Sequence, residues 1–178
     1  MLSSLEQSFK ALEASKSALL NRLSALSADC INQRPNPGAW SLAEIAQHLM
    51  LVEEEALRQF KAATPTNDRQ TIRDQAGRLM VHFVFRRGIR VKAPFRSVIP
   101  VSAKSLQEIR TSWNEVRSVL RAHLDSIQPE GLEVLLFRHP VAGRMNVRQT
   151  LKLLELHFKH HLRQVDRTES LVTAKCGS

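Results

Sequence analysis

Residues 147–170 read VRQTLKLLELHFKHHLRQVDRTES. Val147, Leu151, Leu154, Phe158, His161 and Val165 recur there at alternating steps of four and three, the period of one face of an α-helix. Asn146, followed by Gln149 three residues on, marks the start with a capping pair. His161 stands inside the apolar stripe and His157 one turn before it, so this helix carries two imidazoles to whatever packs against it. After Leu171 the periodic signal stops, and 171–178 is expected to be a flexible tail.

Working outward, three more segments show the same period. Leu5, Phe9, Leu12, Leu19, Leu23 and Leu26 predict a helix over about 3–28, with Ser3 and Glu6 at capping-box spacing. Two prolines in NQRPNPG, residues 32–38, break it into a loop. Ser41 and Glu44 repeat the capping box, and Leu42, Ile45, Leu49, Val52, Ala56 and Phe60 carry a second long helix to about Ala63. Ser105 and Glu108 open a third, over about 105–127, with Leu106, Ile109, Trp113, Val116, Leu120 and Leu124 as its stripe. Between the second and third lies a less regular stretch. A helix over 68–86 with Ile72, Leu79 and Phe83 on one side is expected there, then irregular chain to Pro100. The segment from Pro129 to Gly143 reads as loop.

Composition agrees with helices. The 178 residues include six Gly, no Tyr and two Trp, too few turn formers and aromatics for a β-sandwich or barrel. The expected architecture is all-α, a single domain over 1–178. A chain of this length buries enough surface to fold without a structural metal, so a metal here would serve function. Cys30 and Cys176 are 146 residues apart with no Cys-x-x-Cys pair, which points to a reducing compartment. No leader-like or membrane-spanning stretch is evident. The expectation is therefore a cytoplasmic protein without membrane association.

Charge is unevenly placed. From Arg69 to Arg96 eight basic residues face one acid, so this segment holds +7 of the net +9. The basic insert, 69–100, is read as an attractor of an anionic substrate through Arg86, Arg87, Arg90, Lys92 and Arg96. An alternative is a non-enzymatic module that uses 86–96, with Phe95 as a stacking platform, to bind nucleic acid or another polyanion.

The histidines carry the chemistry. His157 and His161 are one turn apart and both border apolar positions, whereas His160 falls on the far side and is expected to face solvent. His48 borders Ile45, Leu49 and Val52 on the second helix, so three imidazoles can converge. A neutral three-histidine set leaves a coordination position open, where a thiol or water can lose its proton. His82, His123 and His139 are read as structural or exposed, and Glu53, Glu54 and Glu55 as a solvated face.

Trp40-Ser41, Glu44 and His48, followed far downstream by His139-Pro140, Gly143 and His157-x-x-x-His161-x-x-Gln164, resemble the DinB/YfiT-like superfamily over nearly the whole chain. The resemblance implies a four-helix bundle with an up-down-down-up path, here with an additional helical or irregular segment between the second and third long helices. It implies a homodimer and a divalent metal, Zn or Ni in the first place and Fe or Mn otherwise, on His48, His157 and His161. Relatives include transferases that use low-molecular-weight thiols. A metal-dependent thiol S-transferase or hydrolase acting on a small, anionic substrate is the expected function. The long basic insert departs from the family pattern.

Overall fold

Serine opens two of the long helices as expected. The computed structural model describes residues 1–63, 69–89, 96–101 and 104–176. Its elements are α1 (Ser3–Ser24), α2 (Ala28–Asn32), α3 (Leu42–Ala62), α4 (Ile72–Arg87), a short 3-10 turn (Arg96–Val98), α5 (Leu106–Ser126), a second 3-10 turn (Pro129–Glu133), β1 (Leu135–His139), β2 (Gly143–Asn146) and α6 (Val147–Cys176). The hydroxyls of Ser41 and Ser105 accept the N–H of Glu44 and Glu108, and both glutamates reach back to the serine N–H. Asn146 and Gln149 exchange the same pair of bonds at the head of α6. Ser3 and Glu6 do not: the N-cap of α1 is Leu2, and Glu6 pairs with Lys10 instead.

Helices α1, α3, α5 and α6 form the four-helix bundle, with α1 and α3 each packed against both α5 and α6. All the apolar stripes of these four helices turn inward, and the core divides into two clusters. One holds Leu20, Leu23, Ile45, Leu49, Ile109, Trp113, Phe158 and Val165. The other holds Leu5, Phe9, Leu12, Phe60, Leu120, Leu124, Met145 and Leu151. Lys16 of α1, Glu53 of α3 and Arg117 of α5 are buried as well. Arg117 meets the Glu53 carboxylate with two N–H groups at 2.6 and 2.7 Å and Glu13 at 3.2 Å. The Trp113 indole N–H donates to Glu53 at 2.8 Å. Glu53 and Glu55 are thus buried, contrary to a solvated face; only Glu54 is exposed. Arginine and indole on α5 supply the donors that draw Glu53 inward.

Three other expectations are corrected. Residues 135–146 form an antiparallel hairpin, in which Gly143 adopts φ 72° beside Asp74. Helix α6 does not end near 170 but continues through Thr168 and Val172, both buried, to Cys176; a polar threonine in the stripe hid the continuation. Finally, Ile72, Leu79 and Phe83 of α4 face outward, while Val81 and Phe85 are buried. What sets that face is the hairpin: a Cβ on Gly77 would run into the Val141 carbonyl oxygen, and the Asp74 carboxylate accepts the N–H of Arg144.

Distance along the chain also misled about the cysteines. Helix α2 folds back against the end of α6, so Cys30 and Cys176 have Cα atoms 6.0 Å apart and form a disulfide. That contradicts the reading of a chain with separate, reduced thiols.

Candidate metal centre

His48 comes from the middle of α3, and His157 and His161 from successive turns of α6, where the two helices pack. Their ring nitrogens converge. His157 Nε2 lies 3.3 Å from His48 Nε2 and 3.1 Å from His161 Nε2, and the three candidate ligand atoms all fall within 4.8 Å of one another. Bonds of about 2.0–2.1 Å spread at a tetrahedral angle around one ion would set nitrogens roughly 3.3 Å apart. Two of the three separations match that value, and the third, no more than 4.8 Å, needs only a small turn of the rings to close on one ion, so the residues fit a metal.

Hydrogen bonding fixes which nitrogen is offered. The Nδ1–H of His48 donates to the Val98 carbonyl at 2.7 Å, and the Nδ1–H of His161 donates to the Gln164 amide oxygen at 2.8 Å. Each Nε2 then keeps its lone pair, the arrangement a metal-binding imidazole uses. His48 and His161 are buried and His157 keeps partial access. Burial pushes the His161 imidazole down to about 3, with nearby His48 adding to the effect. Burial also lowers His48, against the pull of the Val98 carbonyl, and lowers His157 well below its usual range together with its histidine neighbours.

The surroundings are aromatic. Trp40 sets its ring 4.7 Å from His48 and 6.4 Å from His161, centroid to centroid. Phe85 of α4 stands 5.4 Å from His157. Trp40 is held at the entry to α3, where Arg34 and the Ser41 N–H both bind the Glu44 carboxylate. Phe85 and the Val98 carbonyl were not foreseen. The only sequence signal for Phe85 is the four-residue step from buried Val81, which the more apolar outer positions of α4 obscured.

His160 corrects another expectation. It is half-buried rather than solvent-facing, with its ring 5.2 Å from both Phe85 and His161. Arg163 on the same helix donates to the Arg86 carbonyl at 2.8 Å, so α6 grips the last turn of α4. His139 stays structural: its Nδ1 accepts the N–H groups of Val141 and Ala142 in the hairpin turn. Of the residues read from the basic segment, Arg86, Arg87 and Arg96 are exposed, whereas Arg90, Lys92 and the aromatic Phe95 lie outside the described residues.

The sequence profile of the DinB superfamily matches residues 11–165. The chain belongs to the DinB superfamily. It is 27% identical over 145 residues to the uncharacterized protein YuaE of Bacillus subtilis (strain 168), covering 82% of this chain and 86% of that one. A solved structure titled as that of TT2238, a four-helix bundle protein, superposes with a TM-score of 0.57 at 21% identity, over 90% of this chain and 98% of the other. The last likeness supports the bundle fold alone. Among the described residues of this DinB-superfamily chain, no helix is long and apolar enough to cross a membrane.

The buried imidazoles make acid stability a readout of the site. An unfolded histidine takes up a proton below its ordinary value of 6.5, whereas these folded ones resist it. Stability is thus full above about 6.5 and is lost as pH falls from there toward 3, each histidine contributing up to about 1.4 kcal/mol per pH unit. Chelator-treated protein should melt at a clearly lower temperature at pH 5 than at pH 7. An unchanged melting temperature would show that the imidazoles are solvated.

Proposed function

We propose that His48, His157 and His161 bind one divalent ion, Zn or Ni in preference to Fe or Mn, and that the chain is a transferase joining a low-molecular-weight thiol to a small anionic electrophile. The convergence of three imidazole nitrogens within 4.8 Å is the observation that carries this reading. When bound, the ion would supply the Lewis acidity that lowers the pKa of a thiol beside it. The side chains supply orientation and surroundings. Val98 and Gln164 hold two imidazoles with Nε2 toward the ion, Trp40 and Phe85 wall the site against water, and exposed Arg86, Arg87 and Arg96 attract negative charge. In the transfer, sulfur bonds to the electrophilic carbon, the leaving group departs with its electron pair, and the thiol proton passes to solvent. Both cysteines are tied to each other, so neither serves as the nucleophile.

This reading includes a homodimer and a cytoplasmic site of action, where small thiols are at hand. The Cys30–Cys176 bond would there stand against a reducing poise. The test is conjugation of a panel of electrophiles with a panel of small thiols, in the presence of metal or chelator. Turnover should require both metal and thiol. Turnover that survives chelation would refute the proposal, and consumption of an ester or amide without thiol would reassign the same three histidines to a hydrolase.

A further inference from the structure

Helix α4 has two unlike faces. Val81 and Phe85 are buried against the bundle, with Phe85 at the candidate metal centre. On the opposite face Ile72 is 86% exposed, Leu79 70%, and Met80 and Phe83 53% each. With exposed Ala76 between them, positions 72, 76, 79 and 83 follow steps of four, three and four, so they form one strip along the helix. Single exposed apolar residues are ordinary, but a contiguous strip of large ones marks an interaction surface. Its edges are basic: Arg73, Arg86 and Arg87 are exposed. The one acid of α4, Asp74, is turned to the hairpin, where it accepts N–H bonds from Thr71 and Arg144.

We propose that this outer face of α4 is where a second copy of the chain docks, α4 against α4, antiparallel about a two-fold axis. The inference rests on the homodimer reading above and locates its contact. The strip is self-complementary. An axis midway between Ala76 and Leu79 sets each Leu79 over the small Ala76 of the other copy and each Ile72 against the other Phe83, so large side chains meet gaps at the centre and apolar partners at the ends. The area suffices: burying these side chains removes on the order of 500 Å² per copy, close to the ~1,000 Å² in total that a specific interface needs. An unrelated acidic helix would answer the arginines but has no reason to match the alternation of large and small positions.

Charge gives this dimer a signature. Exposed Arg73, Arg86 and Arg87 of both copies then border the strip, with no acid on this face of α4 among the described residues. The apolar strip must hold the copies together against like charge, so the dimer tightens as salt rises. Docking of an acidic protein or of nucleic acid would weaken with salt.

Sedimentation equilibrium of the full chain at low and high salt tests the assignment, with Leu79→Glu and Phe83→Ser as strip variants and Leu171→Glu, an exposed apolar position elsewhere, as control. Circular dichroism confirms that each variant remains helical. The wild type and L171E should be dimers of the 20.2 kDa chain, and each strip variant should weaken association at least ~30-fold. A dimer that persists in both strip variants, or one that loosens with salt, overturns the location while leaving the homodimer reading in place. A wild type that stays monomeric to high concentration overturns both. Metal content of the wild type, measured on the same samples, reports on the three histidines independently.

Discussion

Replacing His161 by Ala is expected to lower affinity for a divalent ion by more than ~100-fold while leaving a helical protein that melts cooperatively. Loss of an outer-shell partner typically costs 10–100-fold, and loss of a direct ligand should cost more. His161 is one of three converging nitrogens, and His157 Nε2 stands only 3.1 Å from it, so nothing else among the described residues replaces it. His160, the next residue, is the control. Its ring abuts His161 and Phe85, but it is not one of the three converging imidazoles, so His160→Ala should change affinity only a few-fold. Elemental analysis of tag-free protein and titration of the metal into the chelated variants decide the matter. Stoichiometric metal in H161A, or equal losses in the two variants, would show that the ligand face is misassigned.

The second large effect concerns stability. Arg117→Ala should destabilise the bundle by about 3–5 kcal/mol, a drop of roughly 6–20 °C in melting temperature for a chain of this size. The guanidinium is the Glu53 carboxylate's two-pronged partner, and both side chains are 97% shielded. Without it a carboxylate remains in the core with the Trp113 N–H as its remaining side-chain donor among the described residues. Removing both charges, as Glu53→Leu with Arg117→Leu, should recover much of the loss, because the cost lies in the unpaired charge more than in the missing bond. Thermal unfolding of Arg117→Ala and of the double variant measures this. A single variant that melts with the wild type would mean that water reaches Glu53.

Much of this was legible in the sequence. The stripes of α1, α3, α5 and α6 follow one period over five or more turns, and each repeats the same message at many positions, so a few misleading residues do not change it. The three converging histidines were legible for the same reason: each sits on or beside a stripe, and stripes meet. Where the signal failed, one or two residues decided between alternatives. Gly77 and Asp74 turn α4 so that its less apolar face goes inward, against the preference of Ile72, Leu79 and Phe83. Thr168 interrupts the stripe of α6, although Val172 resumes it. Glu53 looked like its neighbour Glu54 because nothing local announces that Arg117, 64 residues away, will meet it. The Val98 carbonyl that orients His48 is backbone, 50 residues distant, and has no side-chain signature at all.

The Cys30–Cys176 bond changes what kind of object the chain is. Joined there, nearly the whole polypeptide becomes a closed ring, from which α1 projects as an arm that lies back along the bundle. Every ligand of the candidate metal centre belongs to the ring, and so do α4 and the hairpin. A single cut in the backbone of the ring opens it without releasing a piece. His48 and the two α6 histidines therefore stay on one covalent molecule even when the chain between them is severed, and no segment of the ring can leave until a second cut or a reductant breaks it; a cut ahead of Cys30 frees α1 alone.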